Sequence, residues 1–325
     1  MGFELPKEIN SGKIIEVVLG ATSKEGGTRS NKITIGGWNS LQCLDFEGTH
    51  PHKAVIAMEV YDKTPAKFPN VIRDYFSSVI DKPADMAKKC VDEYGAEMIN
   101  IRLDSTHPEK GNTSIEEAAE IVKSVLETVS VPLIITGHSS FAKNNELMKK
   151  ICEVTAGENC LINWVETDNY KTIAATCIAY KHTLVAQTPI DVNLAKQLNI
   201  LLNDMSFPQD KIVMDPLTGS LGYGLEYTYS IIERIVNDAL SGDKMLAYPM
   251  IVCSGREVSM VKESRATEAE FPDWGDIELR AAYWEIATAM SLFTVGGELL
   301  IMQNPKAVQA VKKNINEMFA TKEVV

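Results

Sequence analysis

The feature that most constrains this chain is a repeated alternation of short apolar runs with helical runs. Most of the apolar runs are rich in Val, Ile and Leu throughout, as strands buried on both faces should be. The eight runs cover residues 54–61, 96–104, 131–136, 160–165, 183–187, 211–215, 245–252 and 299–302. Eight strand–helix units in succession predict an α/β fold, a closed (β/α)₈ TIM barrel.

A doubly wound parallel sheet is the alternative architecture for such a pattern. That fold usually carries a G-x-G-x-x-G turn after its first strand. Here Gly219, Gly222 and Gly224 have the reverse spacing, G-x-x-G-x-G, and follow the sixth apolar run. The glycine pattern therefore favours the barrel.

Helix starts can be read from capping residues. Thr113 and Glu116 fit a capping box before an apolar stripe with helical spacing. Asp191 can cap a helix that begins at Val192. Asn304 followed by Pro305 is a cap with proline at the first helical position.

Two apolar segments precede the first barrel run, at residues 14–19 and 32–36, with a glycine-containing segment at 20–27 between them. They predict a β-hairpin with a long turn, packed on one end of the barrel. No linker separates the segments, so we expect a single TIM-barrel domain over 1–325, with 1–50 as the hairpin extension and 51–325 as the barrel.

Charge and cysteine usage narrow the classes of partner. The chain carries 32 Lys and Arg against 44 Asp and Glu, a net charge of −12. An acidic surface repels phosphate backbones, so no nucleic-acid partner is expected. The six cysteines form no C-x-x-C or C-x-x-x-C pair. We expect buried, reduced thiols and no metal or iron–sulfur site in this chain.

Residues 1–13 contain no apolar run before a cleavage site, and no segment approaches the ~20 apolar residues of a membrane span. We therefore expect a cytoplasmic protein that does not bind a membrane.

In a TIM barrel, function lies at the carboxyl ends of the strands. The two longest loops at that face are predicted at 62–83, with a short helix at 71–80, and at 254–275. The polar residues at the strand ends are Glu59, Asp62, Arg102, Asp104, Gly137, His138, Asn163, Glu166, Gln187, Asp215, Thr218 and Ser254. Their carboxylates could serve acid–base chemistry or bind a hydrogen-bonding ring; alternatively, they cap helices or pair with Arg102.

The histidines leave two interpretations open. His50 and His52 form an H-x-H pair that could hold a metal, but they lie in a polar loop before the barrel. His138 has a better position, at a strand end, although it could simply bond to backbone.

The most informative segment is residues 214–228. Asp215 ends a strand and Pro216 prevents its simple continuation. The three glycines let the backbone approach something flat or bulky, and Tyr223, Tyr227 and Tyr229 supply amphipathic contact area. The alternative is an ordinary loop packed on the next helix.

The run from Asp215 to Tyr227, DPLTGSLGYGLEY, resembles the small (delta) subunit of the corrinoid/iron–sulfur protein of the acetyl-CoA decarbonylase/synthase (Wood–Ljungdahl) pathway. Residues 101–108, 36–38 and 272–275 are similar to that family too, and the likeness covers essentially the whole chain.

The resemblance implies a barrel related to methyltetrahydrofolate methyltransferases, paired with a large subunit in a heterodimer. Cobalamin would lie between the large subunit and this barrel's mouth, and the [4Fe–4S] cluster would belong to the partner. The heterodimer would receive a methyl group from methyltetrahydrofolate through a methyltransferase and deliver it to CO dehydrogenase/acetyl-CoA synthase.

A corrin ring is a wide disc with an amide-bearing rim, which suits a barrel mouth with glycines and a few polar side chains. We expect this subunit to position and shield the corrinoid, with no catalytic residue of its own. The expected cofactor-binding residues are Asp104, Thr136, Gly137, His138, Asn163, Asp215, Thr218, Gly219, Gly222 and Tyr223.

Two other functions remain open. A stand-alone methyltetrahydrofolate methyltransferase would grip the pterin with an Asp on the sixth strand and an Asn on the seventh. Asp215 fits the first position, but residues 248–254 offer Ser254 and no Asn. A purely structural subunit would never contact the cofactor.

Overall fold

A computed structural model describes residues 6–320, and in it eight parallel strands close into a barrel. The strands, in chain order, are β1 (Val17–Leu19), β2 (Ile33–Ile35), β3 (Val55–Tyr61), β4 (Met98–Arg102), β5 (Leu133–Thr136), β6 (Leu161–Val165), β7 (Thr183–Gln187), β8 (Ile212–Asp215), β9 (Met250–Val252) and β10 (Gly297–Met302). The barrel runs from β3 to β10 in sequence order, and β10 closes it by pairing with β3. The predicted (β/α)₈ fold is confirmed.

Helices surround the barrel, and the longer ones bury apolar residues on one side. They are α1 (Asn70–Arg73), α2 (Pro83–Asp92), α3 (Ile115–Thr128), α4 (Phe141–Val154), α5 (Tyr170–Tyr180), α6 (Val192–Asp204), α7 (Leu225–Leu240), α8 (Ser254–Met260), α9 (Ile277–Thr294) and α10 (Pro305–Ala320). On α3 the buried stripe includes Ala118, Val122 and Val125, at the spacing that the sequence predicts.

The hairpin closes the amino-terminal end of the barrel. Strands β1 and β2 pair antiparallel, with Val18 opposite Thr34. Their inward side chains share one apolar cluster with residues at the starts of the barrel strands, as predicted. The position directly after β2 requires glycine, because Gly36 has φ +86° and a Cβ there would lie 2.0 Å from the Ile15 carbonyl oxygen.

Capping explains where several helices begin. Asp191 accepts hydrogen bonds from the backbone of α6, and Asn304 accepts them from that of α10, both as predicted. The prediction for α3 is wrong by one residue, because Ser114 is the cap and accepts from the Glu117 amide at 3.1 Å. The Thr113 hydroxyl is instead hydrogen-bonded to the hydroxyl of Ser105, 2.7 Å away.

Three other predicted boundaries are corrected. Strand β9 begins only at Met250, because the Met245 backbone bonds to the side chains of Asp243 and Asn199 and the Ala247 carbonyl accepts from the Ile15 amide. The helix predicted at 71–80 shrinks to α1 and a 3₁₀ turn at Asp74–Phe76. The loop predicted at 254–275 starts with helix α8.

Cys90, Cys152, Cys160 and Cys177 are buried free thiols, as expected. Cys253 is only partly buried, and the expectation is wrong for Cys43, which is exposed.

Candidate functional site

The carboxyl ends of the barrel strands surround a cavity of about 410 Å³. It is lined by Arg102, Asn163, Trp164, Gln187, Ile190, Asp215, Leu217, Thr218, Gly219, Tyr223, Gly224, Cys253, Arg256 and Glu257. Among the residues predicted from sequence, Asn163, Asp215, Thr218, Gly219 and Tyr223 line this mouth cavity. The glycine–tyrosine segment and the start of the segment predicted as the 254–275 loop therefore meet at one opening, whereas the 62–83 loop contributes no lining residue.

The loop between β8 and α7 forms one wall of the mouth cavity. The Thr228 hydroxyl, in the first turn of α7, holds the start of this loop by donating to the Leu217 carbonyl and accepting from the Gly219 amide at 2.7 Å. Gly219 is required because a Cβ there would lie 2.5 Å from the Gly224 backbone. The Tyr223 hydroxyl then reaches Glu263 at 3.0 Å, which ties this loop to the one after α8.

Asp215 lies at the end of β8 with its carboxyl group buried beside the cavity. Its Oδ1 accepts from the Leu217 amide at 2.9 Å, and its Oδ2 accepts from Gln187 Nε2 at 2.9 Å. Burial raises the pKa of Asp215 to about 6, against the effect of these two hydrogen bonds. The group is therefore a carboxylate above pH 6 and a neutral acid well below it.

A buried polar network lies under the mouth cavity. Glu59 pairs with Arg102 Nε at 2.8 Å and accepts from Asn100 Nδ2 at 2.7 Å. Asn100 Oδ1 accepts from the Thr136 hydroxyl at 2.6 Å, and Thr136 Oγ1 accepts from Asn163 Nδ2 at 3.0 Å. The pairing of strand-end acids with Arg102, left open from sequence, is thus realised at Glu59.

The Asn163 carboxamide, at the end of this network, keeps an oxygen without a hydrogen-bond partner among residues 6–320. Asn163 is 1% exposed, and its Oδ1 makes no hydrogen bond within the described residues. Buried acceptors of this kind are rare because leaving one unpaired costs about 1–3 kcal/mol. Asn163 is also one of the residues that line the mouth cavity.

Five residues predicted for the site do not line the cavity. Thr136 lies beneath it, fully buried in the network. Gly137 packs on Asn144, where a Cβ would lie 2.1 Å from Oδ1. Gly222 has φ +76° and serves the turn of the β8–α7 loop. The remaining two are Asp104 and His138.

Asp104 and His138 are held by local contacts. Asp104 binds Lys110 at 2.9 Å, and the charge of Arg102 contributes to a lowered pKa of its carboxyl group although burial opposes it. His138 Nδ1 accepts from the Ser140 amide, and burial lowers the pKa of its imidazole to about 4. Its ring meets His107 edge-on at 5.2 Å, so a neutral structural histidine explains its position.

Several cavity residues were not among the predicted site residues. Arg256 and Glu257 come from the first turn of α8, in a segment that was predicted to be a loop. Cys253, rather than Ser254, presents its side chain to the cavity from the end of β9. Burial raises the pKa of the Cys253 thiol, so it stays protonated. Asn100 could have been found, because it alternates with Arg102 in an otherwise apolar run.

The H-x-H pair has other contacts. The ring of His50 stacks on Trp38 at 6.0 Å, and its Nε2 lies 2.9 Å from Ser40 Oγ. Across residues 6–320, no three His, Cys, Asp or Glu side chains are arranged to hold a metal ion. Within the same residues, no helix has the length and apolar character needed to cross a membrane.

The fold and the mouth cavity place the chain among (β/α)₈ barrels whose binding site lies at the carboxyl ends of the strands. It resembles dihydropteroate synthase of Coxiella burnetii, solved with pteroic acid, at a TM-score of 0.58 and 14% identity over 89% of this chain and 99% of that one. Dihydropteroate synthase of Thermus thermophilus superposes with a TM-score of 0.53 and 15% sequence identity, over 87% of this chain and 99% of that one. These likenesses define the fold.

The sequence comparisons define the family. A sequence model described as CO dehydrogenase/acetyl-CoA synthase delta subunit matches residues 16–266, and the chain belongs to this family. Acetyl-CoA decarbonylase/synthase complex subunit delta of Archaeoglobus fulgidus is 38% identical over 97% of this chain and 71% of its own length. The corresponding subunit of Methanocaldococcus jannaschii is 33% identical over 99% and 78%. The family resemblance seen in the sequence is confirmed.

Proposed function

We propose that this chain is the delta subunit of a corrinoid/iron–sulfur methyl carrier and that its mouth positions and shields a cobalamin held by the large subunit. Membership of the delta-subunit family supports the assignment to such a complex. The observation that carries the cofactor contact is the mouth cavity, which both polar and apolar side chains line and whose lining residue Asn163 keeps an unpaired buried acceptor, Oδ1.

The residues at the mouth fit the edge of a corrin. Leu217 and Tyr223 line the cavity yet remain exposed, so they offer apolar area to the face of a large ring. Asn163, Gln187 and Asp215 offer hydrogen-bond acceptors to the amide-bearing rim. When bound, the corrinoid supplies the cobalt that carries the methyl group. This chain's residues orient the ring and exclude water from it.

The partners follow from the same proposal. The described cysteines form no cluster that could hold iron and sulfur, so the [4Fe–4S] cluster is assigned to the large subunit. A methyltetrahydrofolate methyltransferase would load the methyl group, and CO dehydrogenase/acetyl-CoA synthase would receive it. Because both enzymes must reach the cobalt, the cover provided by this mouth must be removable.

The test compares two substitutions of exposed apolar residues. Leu217→Glu changes the mouth, where Leu217 is 38% exposed, and Ile178→Glu changes the outer face of α5, where Ile178 is 44% exposed. Affinity for the corrinoid-loaded large subunit is measured by sedimentation, and solvent access to cobalt by the rate of cyanide ligation. We expect Leu217→Glu to weaken binding and speed ligation, with Ile178→Glu unchanged. Equal behaviour of the two variants would refute the proposal.

A second candidate is a stand-alone methyltetrahydrofolate methyltransferase, favoured by the buried Asp215 at the mouth. Cys253 occupies the cavity where that activity would need an Asn from the seventh barrel strand. The decisive assay adds methyltetrahydrofolate and cob(I)alamin to the purified chain. Methyl transfer without the large subunit would establish the enzyme, and none is expected.

A further inference from the structure

The orientation of the Asn163 side-chain amide is set by a chain of hydrogen bonds that starts at Glu59. The Glu59 carboxylate receives hydrogen bonds from Arg102, Gln303 and Asn100. A carboxylate only accepts, so Asn100 must turn its Nδ2 toward Glu59. Asn100 Oδ1 therefore faces the other way, toward Thr136.

The orientation of Asn100 in turn decides which of the next groups, Thr136 and Asn163, donate and which accept. Because Asn100 presents an oxygen, the Thr136 hydroxyl must donate to it, at 2.6 Å. Its remaining capacity is to accept, and Asn163 Nδ2 donates to it at 3.0 Å. Asn163 Oδ1 is thus left unpaired in a residue that lines the mouth cavity, and an amide flip would set two donors or two acceptors against each other.

The free hydrogen-bonding capacity of the cavity selects a kind of ligand group. Asn163 Oδ1 and the Asp215 carboxylate accept, and Gln187, whose Nε2 is used by Asp215, adds its Oε1 as a further acceptor. Arg102 and Arg256 also line the cavity and can only donate. A primary carboxamide has two N–H donors and one oxygen, so it can satisfy both sets. A carboxylate would face the acceptors with no proton to give.

We propose that Asn163 Oδ1 accepts an N–H from a primary carboxamide on the corrinoid rim, and that Glu59, Asn100 and Thr136 fix the oxygen for it. This assignment rests on the proposed function. Thr136 is fully buried and does not line the cavity, so it acts as a positioning residue. The cavity is a site for one arm of the rim rather than for the ring itself.

The experiment measures the affinity of the full chain for the large subunit carrying different corrinoids. Thr136→Val keeps the shape and removes the hydroxyl, whereas Thr136→Ser keeps the hydroxyl and is the matched control. Separately, the wild-type chain is tested against large subunit loaded with cobalamin or with each corrinoid in which one rim amide has been hydrolysed to an acid. Loading is checked by absorbance before mixing.

We expect Thr136→Val to bind the cobalamin-loaded subunit about fivefold more weakly than wild type, as the loss of one hydrogen bond implies, and Thr136→Ser to match wild type. At least one singly hydrolysed corrinoid should weaken wild-type binding by about tenfold or more, because its carboxylate has no N–H to donate to Asn163 Oδ1 and is repelled by the Asp215 carboxylate. This arm needs no variant, so it decides the question even if Thr136→Val fails to fold.

The outcomes separate the two proposals. If neither the variants nor the hydrolysed corrinoids change the affinity, while removing the corrinoid does, only the carboxamide assignment fails. If removing the corrinoid changes nothing, the proposed function fails and the assignment with it. If Thr136→Val instead lowers affinity for methyltetrahydrofolate alone, the oxygen serves a pterin, and the carboxamide assignment is overturned.

Discussion

The two ends of the barrel are closed in opposite ways. At the amino-terminal end, Val17, Leu19, Ile33 and Ile35 of the hairpin fill the opening with apolar side chains. At the carboxyl-terminal end the strands finish in polar residues around an open cavity. Apolar packing needs no exact partner for each atom, whereas buried polar groups do. The end that stores stability is therefore apolar, and the end that can bind is polar and incompletely paired.

The largest effect on the free energy of unfolding is expected at the mouth, because the buried ion pair there between Arg102 and Glu59 stabilises the fold. Arg102→Leu leaves the Glu59 carboxylate buried without its cation and should lower the free energy of unfolding by about 3–5 kcal/mol. Arg256→Leu is the control, since its 3.6 Å pair with Glu257 is one-third exposed and should contribute less than about 1 kcal/mol. Urea denaturation measures both; similar losses would show that burial of the Glu59 pair is not what matters.

At the hairpin end, stability should depend on how much apolar side chain is buried. Ile35→Ala removes a fully buried side chain from the cluster that closes the barrel and should cost about 3 kcal/mol of unfolding free energy. Val18→Ala, on the exposed side of the paired strand, should cost less than about 1 kcal/mol. Binding of the large subunit should remain unchanged in both, and weakened binding in Ile35→Ala would mean that the two ends are coupled.

One acid at the hairpin end provides a pH test. Glu298 accepts from the Gly36 amide at 3.0 Å, and burial raises its pKa to about 7. Between pH 4.5 and 7 the folded state keeps a proton that the unfolded state loses, so stability falls as pH rises. In the Glu298→Gln variant, the fall in the free energy of unfolding over this pH range should be smaller by on the order of 2 kcal/mol. Parallel pH curves of wild type and variant would show that Glu298 ionises normally.

The smallest stability effect is expected at the proposed binding residue. Asn163→Leu removes one hydrogen bond but also an unpaired oxygen, so unfolding should change by less than about 1 kcal/mol while large-subunit binding weakens. Asn199→Leu is the contrast away from the mouth: Asn199 is also buried with an unpaired Oδ1, but its Nδ2 donates to the backbone carbonyl of Met245 at 2.7 Å, which the variant would leave without this partner. That variant should lose stability and keep binding. Reversed results would contradict the division between the two ends.

The sequence predicted what depends on local pattern. The eight strands, the hairpin and the caps at Asp191 and Asn304 follow from residue spacing and short-range hydrogen bonds. Asp215 and Asn163 were found because strand ends converge in this fold. The network could not be found, because the direction of each bond from Glu59 to Asn163 depends on three-dimensional neighbours. Arg256 and Glu257 were missed because nothing in their segment distinguishes a short helix from a loop.

The central claim is that the mouth covers a corrinoid presented by the large subunit. The most direct measurement is hydrogen–deuterium exchange of this chain after adding the large subunit, with and without its corrinoid. The account predicts corrinoid-dependent protection in the β8–α7 loop, around Leu217 and Tyr223, and none in the hairpin. Protection that is confined to the hairpin end, or that is identical without the corrinoid, would contradict it.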